Sequence, residues 1–476
     1  MLTKNLVLTA ALVQVLTLKQ AAGQPADKQQ VHPPGGTPFI VVAPRAFQQA
    51  MTGYIDHRRK QMPVELVTLE TVLAESKGVD DPERLKRFFY EAWRNRGLRY
   101  VLLVGDADVF PVRYMVLDRC TPEAFDYAFY PSDLYYADVA KSDGSFESWN
   151  ARHDGFHAGY FGEVRGEKNK SDPINFDQID YKPEIAVGRW PVSTPEEVRI
   201  VAEKSMAYEA AIARGDERMR RAGLIAVGGW VDARGQLNQM AAKLSKGWTV
   251  EKRYYADEHP AASGPANANA RATTGRPDEK NVVALLNGGV GLMLHAGHGS
   301  DDSWAGCLST HSLKQIHNAD HPPILMSAGC STARFATLPP YEAYIDVAGR
   351  EHKGTTHGEV FKEPPPPPAC CQRGPYNPTG LGEQFLRAGP DGAVAYFGCN
   401  TGGQPCGVTL LEGFVDTMSK SSNLRLGDCW MGAVTYYYEH EHLATLKPND
   451  DWYPPSIFFQ GMKYMLFGDP SLPMPR

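Results

Sequence analysis

A histidine and a cysteine each follow an apolar run of the sequence that is typical of a buried strand. His298 comes just after residues 290–294, and Cys330 comes just after residues 324–327. The chain between them is long enough for one crossover between neighbouring parallel strands. Because the carboxyl ends of such strands meet at one edge of a sheet, we expect the imidazole and the thiol to lie close together. This is the arrangement of a cysteine nucleophile with a histidine base, so peptide hydrolysis is the leading hypothesis.

The residues around this pair predict the rest of a catalytic cleft. Gly299 allows the backbone to approach a ligand closely, and its N–H is predicted to point at a developing oxyanion. The N–H of Cys330 is the natural second donor. Asp301, Asp302 and Trp304 are predicted to line the cleft, with Trp304 giving apolar contact to the substrate or the core.

Other interpretations of these residues remain open. A single buried cysteine such as Cys330 is often a small core residue, and a histidine beside glycine is often a turn residue. His295 and His298 are a second alternative, as a pair of metal ligands, but no carboxylate or cysteine at metal spacing completes the set. His295 also falls within the predicted strand, so we interpret it as a structural neighbour of the site.

Size and composition indicate a folded protein with a sizeable core. The chain has 476 residues, of which 42% are hydrophobic and 22% are charged. The formal net charge is −6, and no basic tract or basic-aromatic stripe occurs. Nucleic acid is therefore excluded as an expected partner.

The N-terminus has the pattern of an export signal. A short basic start precedes a mostly apolar run, and small residues follow it, which predicts a signal peptide over residues 1–23. A polar, Pro/Gly-rich linker is predicted over residues 24–36. No later segment resembles a membrane span. We therefore expect a soluble protein that is secreted or periplasmic, without stable membrane insertion. A disordered or helical N-terminal tail is the alternative.

Strands alternate with helices along the rest of the chain, which predicts an α/β protein with parallel sheets covered on both faces. We divide it into an N-terminal subdomain over residues 37–195 and a C-terminal catalytic subdomain over residues 196–476. A proline-rich stretch within residues 335–378 interrupts the pattern. We interpret this segment as an inserted surface loop, either a flap near the site or a linker with no role.

At these residues the chain resembles the gingipain family of cysteine peptidases, within the caspase-like clan. Gly297-His298-Gly299-Ser300 with Trp304 is similar to the family's histidine motif, and Ala328-Gly329-Cys330 falls where its nucleophile sits. Four further segments resemble family landmarks in the same order: residues 102–106, 131–136, 187–189 and 467–472. The resemblance implies two caspase-like parallel-sheet units with flanking helices. It also implies a secreted cysteine endopeptidase that cleaves protein or peptide substrates through an acyl-enzyme.

Two family features do not carry over to this sequence. Gingipains have an acidic residue that orients the histidine, but the matching residues 226–230 contain no carboxylate. We therefore predict a Cys–His dyad, with Asp232 and Glu184 as the candidates for an orienting acid. Residues 400–403 fall where the family builds a specificity wall and lack its aromatic group, so a preference for basic residues is not transferred.

The resemblance also implies calcium, because family members bind it; no other cofactor is expected. Asp133 and Asp138 are the predicted ligands, in a loop that also contains Asp143, Asp154 and Glu163. Carboxylate oxygens are the hard ligands that calcium prefers. The alternative interpretation is a solvated acidic loop.

Three alternative functions follow from the same residues. The missing acid is compatible with a catalytically inactive, secreted binding module of the same fold. The peptidase chemistry is also compatible with the processing of exported proteins. A nucleotide- or phosphate-binding α/β protein is the third alternative, but the glycine-containing segments Gly105-Asp106 and Gly228-Gly229 are too short for a dinucleotide or P-loop motif.

Overall fold

The computed structural model describes residues 38–120, 127–256, 275–355, 361 and 363–475. The predicted signal peptide over 1–23 and the predicted linker over 24–36 lie outside the described residues. In the ranges that are described, no helix is long and apolar enough to cross a membrane.

A ten-stranded sheet forms the centre of the fold, in the order β2-β1-β3-β6-β16-β15-β12-β9-β7-β8. Its strands are β1 (Phe39–Ala43), β2 (Val64–Thr68), β3 (Tyr100–Val104), β6 (Ala186–Trp190), β7 (Arg221–Ala226), β8 (Thr249–Tyr254), β9 (Leu292–Ala296), β12 (Ile324–Ser327), β15 (Ala395–Cys399) and β16 (Tyr464–Phe467). Three hairpins lie outside it: β4 (Tyr114–Asp118) with β5 (Tyr127–Pro131), β10 (Ser303–Trp304) with β11 (Leu308–Ser309), and β13 (Tyr344–Ile345) with β14 (Glu351–His352).

The sheet consists of two sets of five parallel strands that run in opposite directions. They meet where β15 pairs antiparallel with β16, with Phe397 opposite Leu466. All other neighbouring strands pair parallel. The α/β class with mainly parallel sheet is confirmed. Because β16 comes from the end of the chain and pairs parallel with β6, it completes the set formed by the N-terminal strands; the subdomain division near residue 195 stays a prediction.

Helices cover both faces of the sheet. They are α1 (Gln48–Arg59), α2 (Leu69–Glu75), α3 (Asp81–Arg96), α4 (Leu134–Ala137), α5 (Pro195–Ala213), α6 (Arg234–Leu244), α7 (Glu279–Gly288), α8 (Leu381–Arg387), α9 (Val408–Lys420), α10 (Leu426–His440) and α11 (Tyr453–Gln460). Capping residues set where the long helices begin: Asp80 accepts a hydrogen bond from Glu83 N–H, and Thr194 forms a capping box with Glu197.

Successive residues of β9 show how the helices bury both faces. Leu292 and Leu294 pack in the core on one side, Met293 packs in the core on the other, and all three have no exposed surface. This explains why the strand is a continuous apolar run rather than an alternating one. The predicted insertion over 335–378 lies between β12 and α8, and its described residues contribute the short β13–β14 hairpin but no strand of the main sheet.

Candidate active site

The pairing of β9 with β12 brings the predicted histidine and cysteine to one edge of the sheet. The two strands are parallel, and His295 is the register partner of Ser327. His298 and Cys330 each follow three residues later, directly beyond the ends of the strands. The backbones that carry them are in close contact: a Cβ built at Gly329 would lie 3.1 Å from Gly299 N. The sequence-based expectation of a shared edge therefore agrees with the geometry.

The thiol of Cys330 is half-buried and lies against the loop that follows β15. Gly403 N–H donates to Cys330 Sγ at 3.2 Å. The next residue, Ser331, has a φ of 55°, which turns the chain sharply after the cysteine. Its N–H donates to Thr401 O at 2.8 Å and ties the turn to the same loop. The sulfur is thus accessible on one side and meets a backbone donor on the other.

The imidazole of His298 is exposed, and its Nε2 lies 2.8 Å from the carbonyl oxygen of Gly229. Because a carbonyl oxygen only accepts, this contact places the proton on Nε2 and leaves Nδ1 as an acceptor. Gly229 was not among the predicted site residues. A backbone carbonyl leaves no signature in side-chain types, so sequence patterns alone offered no signal for it.

Neither candidate for an orienting acid contacts His298, and both assignments are wrong. Asp232 forms an ion pair with Arg234 at 2.8 Å, which lowers the pKa of its carboxyl to about 2. Glu184 lies in the N-terminal part of the fold, where its carboxylate accepts from the amides of Val139 and Ala140 at 2.9 and 3.0 Å.

Backbone amides that could stabilise an oxyanion are free of a protein acceptor in the described part of the chain. They are those of Gly299 and Cys330, the pair that the sequence predicts as oxyanion donors. A Cβ built at Gly299 would lie 3.2 Å from Cys330 N and 2.5 Å from Thr332 Cγ2. Glycine is therefore required at this position by close approach alone.

The three predicted cleft residues separate into surface and core. Asp302 is exposed and accepts a hydrogen bond from Ser300 Oγ at 2.6 Å. Asp301 is half-buried and lies 3.3 Å from Arg334. The placement of Trp304 in the substrate cleft is wrong: its side chain has no exposed surface, and its indole N–H donates to Tyr396 Oη at 2.7 Å. The hairpin β10–β11 folds it inward, so Trp304 gives its apolar contact to the core.

His295 is a buried structural neighbour of the site. Its ring stacks on Trp304 with centroids 4.6 Å apart, and Nδ1 lies 2.9 Å from Ser327 Oγ. Burial lowers the pKa of His295 to about 3, so the imidazole is neutral at physiological pH. Ser327 Oγ in turn accepts from Gly329 N–H at 3.0 Å, which links His295 to the turn that presents Cys330.

A cluster of acidic oxygens lies in the N-terminal part of the fold. The carboxylates of Asp138, Asp180 and Glu184 each provide an oxygen within 4.8 Å of the others. Asp138 is one of the two predicted calcium ligands. The other predicted ligand, Asp133, is not part of this cluster and forms a buried ion pair with Arg189 at 2.7 Å. The predicted loop residues Asp143, Asp154 and Glu163 are not part of the cluster.

The chemistry of this cluster fits a hard divalent cation. Asp138 is fully buried, and its Oδ1 has no hydrogen-bond partner in the described structure. Burial raises the pKa of Glu184 to about 8 and raises that of Asp138 well above its ordinary value. Asp138 is buried, whereas Asp180 and Glu184 are half-buried. Carboxylates this close repel one another; the charge of Lys86 offsets part of that repulsion, and an ion bound by their oxygens would relieve it further.

A thiol and an imidazole at one edge of a mainly parallel sheet are the groups that an α/β cysteine peptidase requires. The model of Peptidase family C25 matches residues 32–357 and 368–475. The chain therefore belongs to this family, the gingipain cysteine peptidases, and the resemblance recognised in the sequence is confirmed.

The individual relatives found by sequence and by structure share less than a third of their residues with this chain over the matched regions. A curated protein, Lys-gingipain W83 of Porphyromonas gingivalis, is 29% identical over 184 residues, which is 37% of this chain and only 10% of that protein. The solved structure of the Arg-specific cysteine proteinase gingipain R is similar with a TM-score of 0.57 and 17% identity, covering 92% of this chain and 78% of that one. The complex of the RgpB pro- and mature domains from Porphyromonas gingivalis gives a TM-score of 0.57, 17% identity, and coverage of 91% and 79%. These structures share the fold.

Proposed function

We propose that this chain is a cysteine endopeptidase with Cys330 as nucleophile and His298 as general acid and base. The observation that carries the proposal is the register of β9 and β12, which puts the two side chains beyond paired residues at one sheet edge. The thiol is half-buried beside the Gly403 amide, and the imidazole is exposed with one nitrogen free to accept a proton.

The reaction proceeds in two halves. Cys330 Sγ attacks the peptide carbonyl carbon as thiolate and forms a C–S bond, while the amides of Gly299 and Cys330 hold the carbonyl oxygen as it becomes negative. The proton that leaves the Cys330 thiol goes to His298 Nδ1, and His298 gives that proton to the leaving amine as the C–N bond breaks. It then takes a proton from water, whose oxygen attacks the thioester; the C–S bond breaks and the acid product leaves.

Two variants test this proposal on a library of cleavable peptides. We expect Cys330→Ala to reduce turnover to background and His298→Ala to reduce kcat/KM by about 10²–10⁴-fold. Cys120→Ser is the matched control, since Cys120 is an exposed thiol whose Sγ contacts Glu167, and it should retain full activity. Undiminished turnover by folded Cys330→Ala would rule out the mechanism.

The same experiment separates the alternative functions. A wild-type protein that cleaves no peptide and whose Cys330 reacts with iodoacetamide no faster than Cys120 would favour the inactive binding module. Cleavage confined to longer, structured substrates would favour processing of exported proteins. We also propose export from the cell, which rests on the sequence of residues 1–23; N-terminal sequencing of the secreted protein tests it.

A bound calcium ion is part of the proposal as a structural element. Asp138, Asp180 and Glu184 would hold it, and it would supply positive charge among their carboxylates. None of the catalytic steps involves it.

A further inference from the structure

A buried lysine lies beneath the loop that contacts the cysteine. Lys463 directly precedes β16, and its side chain is only 3% exposed. Its backbone oxygen accepts from Asn400 N–H at 2.9 Å, which fixes it beside the end of β15. Its ammonium lies 5.1 and 5.0 Å from the ring centroids of Tyr130 and Phe459. These contacts allow the side chain little freedom.

The ammonium of Lys463 donates to Gly402 O at 3.4 Å. Among the described residues, no carboxylate lies within ion-pair distance of it. Burial lowers the pKa of Lys463 to about 8, and the charge of the buried Glu167 carboxylate acts in the opposite direction. A buried cation without a direct ion-pair partner is costly, and the hydrogen bond to Gly402 O is the polar contact that offsets part of that cost.

Gly402 O and Gly403 N–H belong to the same peptide unit. Because that unit is planar, a group that fixes the direction of the oxygen also fixes the direction of the N–H. The N–H is the donor that meets Cys330 Sγ at 3.2 Å. The positive charge of the Lys463 ammonium beside the Gly402 oxygen also polarises the amide and makes its N–H a stronger donor.

Space at the two glycines supports this arrangement. A Cβ built at Gly403 would lie 3.1 Å from Ala328 O and 3.6 Å from Cys330 Cα, whereas one built at Gly402 would meet nothing within 4 Å. Only Gly403 is therefore pressed against the turn that carries the cysteine.

We propose that Lys463 is a positioning residue that aims the Gly403 amide at Cys330 Sγ, through the Gly402–Gly403 peptide unit, and so stabilises the thiolate. The inference rests on the proposed function, since it assigns Lys463 to the cysteine nucleophile. Lys463 touches no reacting atom; it acts through one peptide group and the positive charge behind it.

The test measures how fast iodoacetamide alkylates Cys330, by peptide mass mapping, between about pH 5 and pH 10. In Lys463→Met we expect the pH midpoint of alkylation to rise by about one unit, so that the rate below the midpoint falls about tenfold. We expect kcat to fall by a similar factor with KM unchanged. Lys463→Arg should restore most of both. A folded Lys463→Met protein with the wild-type midpoint would overturn the inference.

A second variant covers the case in which Lys463→Met does not fold. Lys463→Gln keeps a neutral donor for Gly402 O, and we expect a smaller upward shift of the midpoint; an unchanged midpoint overturns the inference. Failure of the proposed function looks different. In that case Cys330→Ala still cleaves peptide, whereas the alkylation midpoint continues to report on the effect of Lys463.

Discussion

His298 Nε2 lies 2.8 Å from the carbonyl oxygen of Gly229, at the position where the family resemblance implies a carboxylate. A carbonyl can fix the tautomer and the orientation of an imidazole, because its oxygen accepts a hydrogen bond from the Nε2–H and cannot donate one. Unlike a carboxylate, it carries no full charge to stabilise the imidazolium. The backbone therefore supplies orientation at this site and leaves charge stabilisation to other groups.

This relationship leads us to expect that Asp232 is dispensable for catalysis. Asp232→Asn should keep kcat/KM within about twofold of the wild type, because its carboxylate is paired with Arg234 and does not reach His298. Peptide cleavage kinetics across neutral pH measure this, with His298→Ala as the inactive comparison. A loss of about a hundredfold or more in Asp232→Asn would mean that the loop rearranges and that Asp232 orients the histidine after all.

Close backbone approach makes Gly299 intolerant of any side chain. In Gly299→Ala the added methyl would lie 2.5 Å from Thr332 Cγ2 and 2.8 Å from Cys330 O, so the two turns must separate. We expect kcat/KM to fall about 10²-fold or more as the Gly299 amide moves. Gly235→Ala is the matched control, since a methyl there has open space on α6. Equal activities in the two variants would contradict the proposed oxyanion hole.

The placement of His298 and Cys330 was predictable because it depends on features that the sequence displays. Both follow apolar runs, and parallel pairing with register partners His295 and Ser327 brings their ends together. The predicted alternation of strands with helices also agrees with the structure, in which helices such as Glu279–Gly288 and Leu426–His440 lie between strands of the main sheet along the chain. These elements are long or strongly apolar, and local sequence decides them.

Features that depend on distant contacts were not predicted. Strand β16 is four residues long and pairs with β15 and β6, from which it is far separated along the chain. For Trp304 the sequence left contact with substrate or with the core open, and a two-residue strand that folds it onto His295 decides for the core. The hairpin β4–β5 was also missed. Tertiary contacts, rather than periodicity, determine each of these placements.

Buried His295 makes stability depend on pH in the acid range. Its pKa is about 3 in the folded protein and about 6.5 when unfolded, so between these values the unfolded state binds the extra proton. The contribution of His295 to the free energy of unfolding is therefore fully present above about pH 6.5. It falls as the pH decreases, by at most about 1.4 kcal/mol per pH unit.

Urea unfolding between about pH 6.5 and pH 4.5 measures this dependence. We expect His295→Gln to be less stable at neutral pH, since it disturbs the stacking on Trp304. Its free energy of unfolding should fall less steeply with decreasing pH, by the slope that corresponds to about one proton taken up on unfolding. Parallel slopes for the two proteins would show that His295 is protonated in the folded state or that other groups dominate.

Calcium should stabilise the fold through the Asp138, Asp180 and Glu184 cluster. After treatment with a chelator, addition of calcium should raise the unfolding temperature by about 2 °C or more, because a ligand that binds only the folded state stabilises it. Asp180→Asn should abolish that increase, since it removes one of three charged ligands. Asp133→Asn is the matched control: it should lower stability, because Arg189 loses its buried partner, yet retain the calcium response. A calcium response that disappears in Asp133→Asn and survives in Asp180→Asn would show that Asp133, as predicted from the sequence, is a calcium ligand and that Asp180 is not.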